Sequence, residues 1–382
     1  MRTTLQPLAH IPALFARHYS TIAIMVTIAL AALLTVTTTP VSTQAGPRNL
    51  DELRRLGDLM TRTKVGPDNI PSLYRPEYIR VVDAALSLDR QDPVFIVNLP
   101  DGPRIYPQMI MVWHEVVNEI VGEEMFCITY SPVSGTVTAY NSRIGKTRHA
   151  SFGVDGRLIN GNTVLFDRDT RSLWSQMLGM SFDGTLVGKQ LVRLPVYWTT
   201  WAIAQRALPQ AKVLLSPHGS LRAYAKDPYG SYIRPGNYYD DDRLLYPIAR
   251  LDKRMHPKKQ IIGCDYEGSR SAVDVAHVRK EGVVNFTTGI IPLAAVLDHK
   301  LGIIRILDRR VWGKPVTLAY KDGKLIDTDS GTVWTTEGRA IEGGLKDAQL
   351  QEVPGIYAMW FAWSSFHPDT VTVPGEATAL PQ

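Results

Sequence analysis

Cysteine is nearly absent from this chain: Cys127 and Cys264 are the two in 382 residues. That is too few for a disulfide framework, and each lies in an apolar, strand-like run. Free buried thiols are the reading preferred over a bridge. Clustered positive charge is missing as well. The formal net charge is +5, and the basic residues are scattered among acidic ones. Nucleic-acid binders carry a concentrated stripe of Lys and Arg, so nucleic acid is excluded as a partner. The short runs His256–Lys259 and Arg309–Arg310 read as solvated surface. Beyond residue 46 no apolar run approaches membrane length, so that part is expected to fold in water. Strands do not alternate with helices in a βαβ pattern, which argues against a doubly wound sheet.

What is present begins at the N-terminus. Arg2 and Arg17 precede Thr21–Val36, a stretch without a charge, and small residues follow at Thr43 and Ala45. Basic, apolar, then small is the order of a secretory signal. The apolar core of about 15 residues is short for a bilayer of about 30 Å. Residues 1–45 are therefore expected to be a signal peptide cleaved after Ala45, with an uncleaved N-terminal membrane anchor as the alternative. Either way the protein is expected to be exported, periplasmic or extracellular, touching membrane only through this segment.

The rest of the chain echoes itself. Val116–Gly122 (VVNEIVG) resembles Val283–Gly289 (VVNFTTG), and Phe166–Trp174 resembles Ile326–Trp334. The segment ending at Pro209 resembles the one ending at Pro368. Matching blocks in one order predict a tandem duplication. The fold class expected is α+β and β-rich, one domain repeated: residues 65–223, then a degenerate copy at 260–372. Residues common to both copies, among them Asn118/Asn285, Asp167/Asp327 and Trp174/Trp334, are most simply framework. Features of one copy alone are where function is sought. Between the copies, residues 224–259 are rich in Tyr, Pro and Gly, too aromatic for a flexible linker. An ordered strap is expected there, and a carbohydrate-binding surface is its sharper reading.

Three local features carry the chemistry. His114 and Glu115 stand side by side only in the first copy, as a ligand pair or a base with its acid. Ser131 and Ser134 sit in a loop, SPVSG, that follows a strand-like run. No Gly-x-Ser-x-Gly elbow surrounds either serine, and serine hydroxyls are poor ligands for soft metals. A Pro–Gly turn with self-satisfied serines is the plain alternative. Asn160, Asn162, Asp167, Arg168 and Gln176 fall on successive short segments where an oxygen-rich pocket for a polar ligand or hard cation is feasible. His149 is a further candidate. His114, Glu115 and Asp167 are the candidate metal ligands, although no cofactor is firmly implied.

The blocks "VWHEVVNEIVG", "ITYSPVSGT", "INGNTVLFDRDTRSLWSQ" and "KDPYGSY", in this order, resemble an exported bacterial and archaeal family known as domain of unknown function 3179. That resemblance spans roughly Asn69 to Thr370. It implies a loop that usually reads Tyr-Cys-Pro-x-Cys-Gly-Thr, a dithiol or half a metal site. Here both cysteines are replaced, by Ser131 and Ser134, so no thiolate forms. The function expected is a non-catalytic binding or scaffold role, with an envelope protein or a small polar ligand as partner. A metal-binding or hydrolytic enzyme using His114, Glu115 and Asp167 near Ser131 and Ser134 is the alternative.

Overall fold

Short apolar runs broken by Gly, Pro and Asn turns build a sheet-dominated fold. The computed structural model describes residues 49–145, 148–217, 222–224 and 226–375. The apolar run at 21–36 and the expected cleavage point lie outside the described residues. Among the described residues the six helices are each nine residues or shorter, against 31 strands. No described helix is long and apolar enough to cross a membrane.

Two short helices, α1 (Leu50–Asp58) and α2 (Val81–Ala84), precede the main body. It opens with β1 (Pro93–Leu99), β2 (Gly102–Pro107), α3 (Gln108–His114), β3 (Val116–Val121), β4 (Glu124–Ser131) and β5 (Thr136–Asn141). After a small hairpin come β6 (Phe152–Ile159), β7 (Asn162–Asp167), β8 (Leu173–Ser175) and β9 (Met180–Asp183). The run closes with β10 (Val192–Leu194), β11 (Tyr197–Thr200), α4 (Trp201–Ala207) and β12 (Lys212–Leu214).

The same order returns after the strap. There follow β13 (Gln260–Tyr266), β14 (Ser269–Asp274), α5 (Val275–Glu281), β15 (Val283–Thr288), β16 (Ile291–Asp298) and β17 (Ile303–Asp308). Beyond another small hairpin lie β18 (Leu318–Lys321), β19 (Lys324–Asp327), β20 (Val333–Trp334) and β21 (Ala340–Glu342). Last are β22 (Gln351–Glu352), β23 (Ile356–Met359), α6 (Trp360–Phe366) and β24 (Val371–Val373).

Pairings recur with the order. β1 pairs β2 and β11, and β2 takes β12 in parallel; β13 likewise pairs β14 and β23, and β14 takes β24 in parallel. The ladder β3–β4–β5–β10 matches β15–β16–β17–β22. The meander β6–β7–β8–β9 matches β18–β19–β20–β21, with a register shift at Trp174 in one and at Trp334 in the other. Residues common to both runs have framework jobs. Asn118 grips the β6 backbone, donating to Phe152 O at 2.9 Å and accepting from Phe152 N at 2.7 Å. Asn285 does the same with Leu318 of β18.

Strands of the two runs share one sheet. Its path goes β3–β4–β5–β23–β13–β14–β24, joined where Tyr357 faces Val137. Each run also sets a loop against a helix of the other. The loop after β4 lies under Met359, which leads into α6, and Phe361 of α6 faces Gly161. The loop after β16 meets α4, where Ile203 faces Gly302, and Thr199 Oγ1 at the end of β11 donates to Leu301 O at 2.9 Å. The serine loop is therefore held inside the molecule, between strands of one run and a helix of the other.

Residues 226–259 form turns without helix or strand, and their aromatic side chains pack inward. Tyr238 and Tyr239 are buried against Ile261, Met359 and Trp360, while Tyr232 stacks on Tyr239 at 3.8 Å and edges Trp198 at 5.0 Å. Lys258 anchors the strap's end, donating to Tyr238 O and Asp241. Residues of this segment thus pack against both runs, with the Tyr238 and Tyr239 rings committed to the interior.

Candidate functional site

The loop starts where β4 runs out. Pro132 fixes φ at the first position of a single 3-10 turn, Pro132–Ser134, and Gly135 at φ 58 closes it in the left-handed region. A Cβ at Gly135 would also press on Met359 and on the Tyr232 hydroxyl, both 3.2 Å away. This is a tight turn with a lid over it.

Ser131 and Ser134 are both 0% exposed. Ser131 Oγ accepts from Thr163 N at 3.1 Å and lies 3.0 Å from Thr163 Oγ1. Thr163 Oγ1 is in turn 2.7 Å from Glu115 Oε2. A hydroxyl has one proton, so with Thr163 donating to a carboxylate, Ser131 supplies the proton between the two hydroxyls. Ser134 Oγ is 2.8 Å from Thr136 Oγ1 and accepts from Asn162 Nδ2 at 3.1 Å. Asn162 Nδ2 also donates to Gln176 Oε1 at 2.6 Å, and Asn162 Oδ1 receives Met177 N at 3.0 Å. Gln176 Nε2 reaches Thr129 Oγ1 at 2.7 Å, Thr136 O at 3.2 Å and Thr138 Oγ1 at 3.3 Å. Each amide and hydroxyl hands its proton to the next, which is how buried polarity avoids its desolvation cost.

One ionisable group joins this network. Glu115 caps α3 at φ 56, left-handed, where the corresponding residue after α5 is Gly282 at φ 78. The first run accepts backbone strain there to place a carboxyl inside. Burial pushes that carboxyl up to about 7, and the hydrogen bond from Thr163 opposes the rise.

His114 turns elsewhere. Its Nδ1 lies 2.7 Å from Pro71 O and its Nε2 2.7 Å from the Tyr224 hydroxyl. A carbonyl only accepts, so Nδ1 carries the proton and Nε2 accepts from Tyr224. Burial holds the imidazole below its ordinary range. Neighbours at a helix end point apart, and both ring nitrogens are spoken for.

The remaining candidates separate as well. Asp167 receives Thr170 N at 2.7 Å, Thr170 Oγ1 at 2.6 Å and Trp174 Nε1 at 3.2 Å, and Asp327 holds Ser330 in the same way. It is a turn-closing framework residue. Arg168 forks onto Asp68 with two bonds of 2.7 Å and onto Ser72, clamping the segment before β1. Asn160, at φ 51, forms the β6–β7 turn with Gly161 and accepts Ala249 N at 2.8 Å, pinning the strap. His149 lies in the small hairpin that pairs with Arg143. The structure thus gathers Glu115, Ser131, Ser134, Asn162 and Gln176, and leaves His114, His149, Arg168, Asn160 and Asp167 outside that cluster. Among the described residues no three His, Cys, Asp or Glu side chains are placed to hold a metal ion.

Sequence reasoning missed Thr129, Thr136, Thr138 and Thr163. The signal was an alternation: Thr136 and Thr138 fall two apart on β5 and both face inward, with Thr129 opposite Thr138 on β4. The second run has apolar Val296 and Ile303 where Thr129 and Thr136 stand, and charge at two other matching positions. Asp298 stands where Ser131 does and Arg305 where Thr138 does. Thr336 donates to Asp298 at 2.8 Å, and Arg305 is bonded to the Tyr197 hydroxyl at 2.6 Å and Glu352 at 3.1 Å.

The strap seals the serine loop. Tyr238 donates to Val133 O at 2.5 Å, and the Tyr232 hydroxyl meets that of Tyr130 at 3.0 Å. Outside this seal opens a cleft of about 440 Å³, whose wall includes Asp89, Asp92, Gln108, Asp227, Arg234 and Asn237. Gln108 joins cleft and seal, donating to Asp227 at 2.7 Å and reaching the Tyr130 hydroxyl at 3.4 Å. Both cysteines are buried free thiols.

Fold and site together define a class: a β-rich protein of two like-ordered runs, with a polar loop sealed under an aromatic strap. The chain belongs to the family described as protein of unknown function (DUF3179), which it matches over residues 67–370. No curated protein and no solved structure matches it.

Proposed function

We propose that this is an exported, non-catalytic binding protein of the cell envelope, derived by tandem duplication, whose serine loop is a structural keystone and whose ligand is small and polar. The observation that carries the reading is the closure of the loop: both serine hydroxyls are 0% exposed and hydrogen-bonded, and the one nearby imidazole is committed to Pro71 and Tyr224. A serine nucleophile needs a base in contact and room for a substrate carbonyl; among the described residues neither serine hydroxyl is hydrogen-bonded directly to an imidazole or a carboxylate, and neither is exposed. Recurrence of strand order and pairing supports the duplication, and the basic–apolar–small N-terminus supports export. Binding is assigned to the open cleft beside the strap, whose lining includes acidic Asp89, Asp92 and Asp227 together with basic Lys226 and Arg234. Such mixed charge suits an amine or a zwitterion. A glycan-stacking role for the strap is weaker, because the rings of Tyr238 and Tyr239 are buried.

The test has two arms. Native protein exposed to a fluorophosphonate probe is expected to stay unlabelled at Ser131 and Ser134; labelling at either would overturn the non-catalytic reading. Thermal unfolding with putrescine, L-arginine and glycine betaine is expected to show stabilisation by at least one, lost in the rim variants Asp89→Asn and Arg234→Ala. No shift from any of the three overturns the assignment of the cleft to this ligand class.

A further inference from the structure

Two large apolar side chains stand in water on hairpin turns of the second run. Ile290 is 96% exposed and Trp312 is 82% exposed. Both have counterparts in the first run with no apolar bulk. Gly289 and Ile290 link β15 to β16 where Gly122 and Glu123 link β3 to β4. Trp312 directly follows the paired residue Val311, as Gly145 follows Ile144. Gly145 has φ 68 and Trp312 has φ 49. That left-handed conformation costs a glycine nothing and is a strained place for a bulky aromatic residue. The second run therefore accepts backbone strain and a hydrated indole together, and neither stabilises the fold.

The two turns share one end of the molecule. Arg309 N donates to Pro292 O at 3.1 Å, tying the Trp312 hairpin to the strand that leaves Ile290. Arg310 bonds Glu267 at 3.0 Å, in the β13–β14 turn, and a Cβ on Gly289 would come within 2.3 Å of Ser269 in the strand after that turn. Among the residues next to Trp312 in the chain and their ion-pair partners, Arg309, Arg310 and Lys314 stand against Asp308 and Glu267, a balance of 3 − 2 = +1.

We propose that this end docks shallowly on an anionic lipid surface, with Trp312 and Ile290 entering the headgroup region. Isolated tips suit a soft, flat bilayer better than a protein partner, since a stable protein interface takes about 800 Å² from each side. Tryptophan favours the membrane–water boundary, and the surrounding cations add attraction to anionic headgroups. This contact is independent of the N-terminal segment.

Depth-resolved fluorescence tests it. The full chain is mixed with vesicles of phosphatidylcholine and phosphatidylglycerol whose acyl chains are brominated near the headgroup. Wild type is expected to lose the emission of about one of its eight tryptophans. Trp312→Gly, which installs the first run's residue, should abolish that loss while leaving the unfolding midpoint at or above that of wild type. Ile290→Glu should reduce it several-fold. Equal quenching in wild type and Trp312→Gly, or none in either, overturns the proposal. So does an indole already shielded from acrylamide without lipid, which would mean that a protein contact covers it. Both variants carry the same N-terminus, so tethering through that segment does not alter the comparison.

Discussion

Replacing Glu115 with Gln isolates the one ionisable group inside the serine-loop network. Glutamine keeps the acceptor for Thr163 Oγ1, now 2.7 Å from Glu115 Oε2, and keeps the side-chain volume, so packing and the αL backbone are unchanged. What disappears is a carboxyl that burial has raised from 4.5 to about 7. The sign follows from linkage. The folded state holds this proton more tightly than the unfolded chain, so below 4.5 both carry it and the acid is neutral in its effect. As pH climbs from 4.5 through about 7 the unfolded chain releases the proton first, and stability falls. Each tenfold in proton affinity is worth about 1.4 kcal/mol, so the full loss above pH 7 is about 3 kcal/mol. Urea unfolding of wild type and Glu115→Gln checks this. The two should agree near pH 4.5, and by pH 8 the variant should be more stable by about 3 kcal/mol, with the urea slope unchanged. Parallel pH profiles for the two proteins would refute the reasoning, because they would mean that Glu115 is solvated or paired with a cation.

Two further outcomes test the network and its seal. Ser131→Cys with Ser134→Cys introduces two thiols into the loop. Both thiols should resist a disulfide reagent in the native protein and react on unfolding, as Cys127 and Cys264 should; rapid native labelling would show that the strap does not seal the loop. Gln176→Leu removes one hydrogen-bond partner from the Asn162 amide and from each of three acceptors on β4 and β5. Leaving buried polar groups short of partners should cost about 3 kcal/mol in denaturant unfolding, and a loss below about 1 kcal/mol would indicate that water replaces the amide.

Much of the scaffold was legible in the sequence. Alternating apolar runs and Gly/Pro/Asn turns announced a β-rich chain, because strand and turn chemistry are local. Asp167/Asp327 and Asn118/Asn285 were readable as framework from their recurrence, and they close the same turns and bridge the same sheets in both runs. The grouping of the site was not legible. His114 and Glu115 are adjacent in the chain, yet the helix ends between them and sends one to Pro71 and the other to Thr163. Asp167 lies on the same strand as Asn162 but faces a turn.

By itself, the sequence determined which segments become strands, which residues turn them, and that no thiolate can form at residues 131 and 134, since these follow from side-chain chemistry and spacing of two. Tertiary structure alone decided that β23 joins β5, that Tyr238 closes over Val133, and that the serines lie dry and satisfied between a sheet and a helix more than 200 residues away. Those contacts link positions far apart in the chain, and only the competition among all buried surfaces selects them.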